Sequence, residues 1–113
     1  MLPKKNRLKR NKDFERVLKK GKGFKQDFLF LRLVKNNLDE NRFGFIVSQK
    51  VSKKAVIRNK IKRRLRESIR EKIKRLKQGY DIVLLPSPDI KEKSFKEIDQ
   101  AIDKILTKAK ILQ

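Results

Sequence analysis

The sequence predicts an α/β sandwich, with elements in the order α-β-β-α-β-α around a small mixed sheet, as one domain over residues 1–113. Three observations lead there. Apolar residues recur every fourth position through a long basic stretch. Three short runs, DFLFLRLVK, FGFIVS and YDIVLL, are rich in β-branched and large apolar residues. Glycines and asparagines punctuate the spaces between these segments.

The first helix is expected from about Lys12 to Lys20. Asn11 is placed to cap it, Asp13 suits its first turn, and Gly21 supplies a stop. Phe14, Val17 and Leu18 share one face. Strands follow at Asp27 to Lys35 and Phe43 to Ser48, and the intervening turn, Asn36 to Asn41, predicts an antiparallel hairpin. A strand apolar at both parities implies cover on both faces, or one face left open for a ligand. The second helix is expected from about Lys53 to Lys77, with Ile57, Ile61, Leu65, Ile69, Ile73 and Leu76 as its buried stripe and Gly79 after its last turn. Tyr80 to Leu85 forms a third strand, closed by Pro86. Ser94 and Glu97 make a capping box for a third helix reaching about Lys110.

Charge narrows the class of partner. The chain carries 34 basic and 13 acidic side chains, a net charge of +21. Residues 1–25 hold 11 basic and 2 acidic side chains, and residues 53–77 hold 13 and 2, so two segments carry nearly all the excess. A localised basic face of this strength points to nucleic acid. With no cysteine and no histidine, disulfides, thiolate metal sites and imidazole acid–base chemistry are excluded. The acidic residues form no carboxylate cluster suited to a metal, so no catalytic and no metal-binding residue is assigned. No apolar run approaches a membrane span, and the composition suits a soluble cytoplasmic chain.

On the second helix Arg58, Lys62, Arg66 and Arg70 form a row about 100° from the isoleucine stripe, with Asn59 and Arg63 beside it. The rise of ~6 Å per four residues is near the spacing of consecutive phosphates, and the arginine fork can bond phosphate oxygens in two places. Only Glu67 and Glu71 offset the charge locally. On these features alone, a structural RNA-binding module such as a ribosomal protein and a duplex-DNA-binding protein both stay open.

The run Ala55-Val56-Ile57-Arg58-Asn59-Lys60-Ile61-Lys62-Arg63, with Arg66-Glu67 after it, closely resembles the signature of the bacterial ribonuclease P protein family. The preceding strand Phe43-Gly44-Phe45-Ile46-Val47-Ser48, and the opening Asn6-Arg7-Leu8-Lys9 followed by Asp13-Phe14, extend the resemblance over nearly the whole chain. The resemblance implies a left-handed βαβ crossover, against the usual hand, and a non-catalytic subunit of an endoribonuclease. Its partners would be the ribonuclease P RNA and the 5′ leader of precursor tRNA, with no membrane and no small-molecule substrate. Hydrolysis would belong to the RNA subunit with magnesium, and the protein would bind no cofactor of its own. Carried over by position, the face toward the RNA subunit would include Lys54, Arg58, Asn59, Lys60, Lys62, Arg63 and Arg66, and the leader cleft Phe14, Leu18, Leu29 and Leu31. Further basic contacts would come from Arg7, Lys9, Lys50 and Arg70. The chain departs from the family at Gln49, where a basic residue is common, at Ser52-Lys53, which replaces a common glycine, and at Leu18 and Leu31, often aromatic. The last change implies a cleft working more by shape than by strong stacking.

Overall fold

The computed structural model describes residues 2–112. It contains α1 (Asn11–Lys20), β1 (Lys22–Gln26), β2 (Leu29–Lys35), β3 (Arg42–Phe45), α2 (Ala55–Lys72), β4 (Tyr80–Pro86) and α3 (Phe95–Lys108), with short 3-10 turns at Lys4–Asn6, Ile73–Arg75 and Pro88–Glu92. The sandwich class is as the sequence predicts, but the sheet has four strands in the order β1-β2-β4-β3.

The additional strand is β1. It pairs antiparallel with β2, from Lys22 opposite Leu33 to Gln26 opposite Leu29. The two-residue turn between them places Asp27 at φ +54, a conformation that aspartate tolerates better than most residues. With one large apolar residue, Phe24, and two lysines, this segment carries the chemistry of a protected edge rather than of a core strand.

The expected hairpin between the next two strands does not form. β4 lies between them, antiparallel to β2 and parallel to β3. Two asparagines explain the outcome. Asn41 is fully buried; its Nδ2 donates to the Lys77 carbonyl and its Oδ1 accepts from the Tyr80 N–H, both at 2.8 Å. Asn36 Nδ2 donates to Asp81 Oδ1 at 2.9 Å and to the Glu40 carbonyl at 3.1 Å. The loop is thus tied to the start of β4 instead of closing a hairpin. YDIVLL is apolar at both parities, and the centre of the sheet is where both of its faces can be covered.

Alternation along the strands divides the core. Leu29 and Leu31 of β2, Ile82 and Leu84 of β4, and Phe43 of β3 face α2 and α3, where Ile61, Leu65, Ile69, Ile98, Ile102 and Ile105 complete the main cluster. Val83 faces the other way and packs with Val17 and Leu8, joined by Phe14, Leu18, Val34, Ile46 and Leu85 under α1. The stripe expected of the second helix is buried at Ile61, Leu65 and Ile69 of α2 and at Leu76 beyond its end, while Ile57 and Ile73 are half-buried against the same cluster.

The helix ends differ in detail. Asn11 is the first residue of α1 rather than its cap; Arg10 precedes the helix and gives no side-chain cap. α2 ends at Lys72 and continues as a 3-10 turn. Gly79 therefore does not stop the helix; at φ +99 it turns the chain into β4. The Ser94 capping box of α3 is present, with Ser94 Oγ accepting from the Glu97 N–H at 3.2 Å and Glu97 accepting from the Ser94 N–H at 3.0 Å. That helix ends at Lys108, and Lys110 takes a φ of +62.

Candidate nucleic-acid interface

Packing of the isoleucine stripe leaves the opposite side of α2 in solvent. Asn59, Lys60, Arg63 and Arg70 are exposed on it, and Lys54 is exposed just before it. Lys62 and Arg66 are half-buried along its flank. Among the described residues, the only ion pairs on this helix are Arg70 with Glu67 at 3.3 Å and the inward-facing Lys72 with Asp99 and Asp103. The outward cations are therefore almost free of internal acidic partners.

Arg58 is different. Its Nη1 donates to the carbonyls of Ser52 and Lys53, each at 2.9 Å. Part of its donor capacity folds the lead-in loop back onto the helix, while its other nitrogens stay available. Arg66 reaches the Phe45 ring at 5.9 Å and lines a groove of about 350 Å³ with Arg7, Lys9, Phe14 and Gly44. In that groove Arg7 also serves the fold, since its Nε donates to the Leu2 carbonyl at 2.7 Å. Lys9 and Lys50 are exposed. The structure thus brings the N-terminal cations beside the α2 face.

A second groove, of about 470 Å³, runs between α1 and the sheet, lined by Leu18, Lys25, Phe30, Arg32 and Leu85. Leu18 is half-buried on α1 and lines this groove, whereas Phe14, one turn earlier and also half-buried, lines the first groove. Leu29 and Leu31 require correction. Both are fully buried, and their side chains belong to the main core on the other face of the sheet. Leu31 adjoins the groove without exposing surface. The residue of β2 that opens into the groove is Phe30, 40% exposed, with Lys25 Nζ 5.4 Å from its ring centre. Parity alone carries the signal: a residue between two buried leucines of one strand points to the opposite face.

The seat of α1 is electrostatic as well as apolar. Asp81 is fully buried at the start of β4 and accepts two bonds from Arg42, at 2.8 and 2.6 Å, and one from Arg16 of α1. Burial alone would raise its pKa, but the hydrogen bonds from Arg42 and Asn36 and the charges of Arg42 and Arg16 outweigh it and hold the carboxyl below its ordinary value. Arg42 is raised in turn, chiefly by that same hydrogen bond. Asp13 adds a 3.7 Å contact to Arg42. No three His, Cys, Asp or Glu side chains among the described residues could hold a metal ion. Asp13 and Asp81 both meet Arg42, and Asp99 and Asp103 both meet Lys72.

These two surfaces can be set beside known proteins. The family model for ribonuclease P matches residues 2–110. The chain belongs to the ribonuclease P protein family. It is 39% identical over 107 residues to the ribonuclease P protein component of Alkaliphilus metalliredigens, covering 95% of this chain and 96% of that protein. It is 39% identical to that of Clostridium botulinum, covering 96% and 97%. Among solved structures, a Staphylococcus aureus RNase P protein mutant with defective mRNA degradation activity superposes with a TM-score of 0.89 at 31% identity, over 96% of this chain and 92% of that one. The Thermotoga maritima RNase P protein gives 0.83 at 30% identity, over 90% and 96%. Membership implies a part in the endoribonuclease that matures tRNA. No helix among the described residues is long and apolar enough to cross a membrane.

Proposed function

We propose that this ribonuclease P family chain binds the RNA subunit of the enzyme through the exposed side of α2 and the 5′ leader of precursor tRNA in the groove between α1 and the sheet. The observation that carries the reading is the lack of acidic partners for the outward α2 cations, beside a second groove with an exposed aromatic ring. Lys54, Asn59, Lys60, Lys62, Arg63 and Arg66 meet ribose-phosphate, and Lys9 and Lys50 extend that surface. Arg58 braces the loop before the helix and offers its remaining donors to the same strand. Phe30 gives leader bases a stacking platform, Lys25 and Arg32 approach the leader's phosphates, Leu18 forms the α1 wall, and the leader continues past Phe14, one turn earlier on α1 in the adjoining groove. Hydrolysis is assigned to the RNA subunit with its magnesium ions; the protein's residues bind and orient.

Reconstitution with a ribonuclease P RNA tests this. The expected result is that the protein lowers the magnesium or substrate concentration needed for 5′ maturation, and favours precursor over mature tRNA. Cleavage at the same sites by the protein without the RNA subunit would contradict the assignment of chemistry. Equal affinity for precursor and mature tRNA would contradict the leader groove.

A further inference from the structure

The outward ridge of α2 is not cationic throughout. Val56 stands on it 79% exposed and belongs to neither apolar cluster. A lone exposed valine is ordinary on a protein surface. This one borders an open depression of about 430 Å³ together with Asn59, Arg63, Arg66 and Glu67. At about 100° per residue, Val56, Asn59, Arg63 and Glu67 fall within one sector roughly 80° wide.

The chemistry of that sector differs from a row built to follow phosphates. Valine offers methyl groups, and asparagine offers both a donor and an acceptor. Glutamate only accepts, and would repel a phosphate. Glu67 is shared with Arg70 at 3.3 Å through one oxygen, leaving the other free among the described residues. Methyls, an amide, a planar guanidinium and a carboxylate together match a nucleoside, which has an apolar face, amino donors and carbonyl acceptors. Single-stranded and bulged RNA presents such unstacked nucleosides. The excess of 13 basic over 2 acidic side chains in residues 53–77 selects an RNA rather than a protein segment as the occupant.

We infer that the Val56 ridge receives one unstacked nucleoside of the partner RNA, with the valine methyls against its base or ribose and Asn59, Arg63 and Glu67 on its polar edge. The inference rests on the RNA-subunit reading of α2 and adds to it a contact that does not depend on phosphate charge.

The test is equilibrium binding of the full chain to a ribonuclease P RNA across a range of salt concentrations. Phosphate contacts set the slope of log affinity against log salt, each contributing about 0.9 or somewhat less, whereas an apolar contact shifts the line without tilting it. Val56→Ala removes two methyl equivalents and improves helix propensity, so folding is preserved. It is expected to weaken binding roughly three- to tenfold at every salt with an unchanged slope. Glu67→Ala removes a negative charge from a face that binds a polyanion, yet is expected to weaken binding. If Val56→Ala binds as wild type does, or Glu67→Ala binds more tightly, the nucleoside contact is overturned while the RNA reading stands. If the wild-type chain binds this RNA no better than an unrelated duplex of equal length, the reading fails and the inference falls with it.

Discussion

The ring of Phe14 lies so close against Gly44 that a Cβ at that position would fall 2.3 Å from Cε1 and 2.5 Å from Cζ. The glycine is thus required by close approach, and it seats an aromatic ring of α1 on strand β3. Gly44→Ala is expected to push the ring out and to cost about 1–3 kcal/mol through overpacking. Urea unfolding measures the stability. In the reconstituted enzyme, preference for precursor over mature tRNA should fall toward that of Phe14→Ala, with binding to the RNA subunit little changed. Retained leader preference would show that the position of the ring is immaterial.

Asp81 ties α1 and β3 to the centre of the sheet. Asp81→Asn leaves Arg16 and Arg42 without their buried counter-charge, and a loss of roughly 3–5 kcal/mol is expected at neutral pH. The carboxyl is depressed below its ordinary 3.8 in the folded chain. Its contribution is therefore fully present above that value and is lost as pH falls through the folded pKa. The stability gap between wild type and Asp81→Asn should be constant from pH 7 to about 5, and should close below the ordinary carboxylate range. Unfolding free energies measured across that range check both the sign and the window.

Lys72 is 3% exposed, and its Nζ contacts Asp99 and donates to Ser68 Oγ at 3.1 Å. Burial would raise the Asp99 pKa, but hydrogen bonds from Lys72 and Ser68, with the charges of Lys72 and Arg75, lower it. The two partners should respond unequally to removal. Asp99→Asn leaves the buried ammonium with only the longer 3.6 Å contact to Asp103 and is expected to cost about 2 kcal/mol, while Lys72→Met frees a half-exposed carboxylate and should cost about 1 kcal/mol or less. Denaturant midpoints at constant slope decide it.

Arg58 and Arg63 lie five residues apart on α2 with different duties. Arg63→Ala should leave thermal unfolding unchanged and weaken RNA binding by about 1–3 kcal/mol. Arg58→Ala removes two bonds to backbone carbonyls and should also destabilise the chain by about 1 kcal/mol. Matching melting curves for the two variants would remove the bracing role assigned to Arg58.

Local regularities were readable from sequence. The fourfold recurrence of Ile61, Leu65 and Ile69 identifies the buried side of α2, and the Ser94–Glu97 spacing marks the start of α3, because each involves neighbours along one helix. Strand pairing was not readable in the same way. Nothing between Lys35 and Arg42 announces that Asn36 and Asn41 bond to residues around Gly79, about forty positions away. β1 carries one large apolar residue and so lacks a strand's hydrophobic signature. At the candidate interface, the cationic side of α2 was legible because it is the complement of the apolar stripe. The double duty of Arg58 was not, since its partners are main-chain carbonyls that any sequence supplies. Assigning Leu29 and Leu31 to a cleft failed because a strand apolar at both parities does not declare which parity meets solvent.

The strand at the middle of the sheet has a consequence for biosynthesis. β4 supplies neighbours to both β2 and β3, yet it begins at residue 80 of 113. A nascent chain halted before that point holds a lone β1–β2 ribbon and an unpaired β3, and a two-stranded ribbon alone is marginal in water. The sheet cannot close until β4 has left the ribosome, so strand pairing completes well after β1, β2 and β3 are made, and truncation anywhere upstream of β4 leaves no closed sheet to support a core.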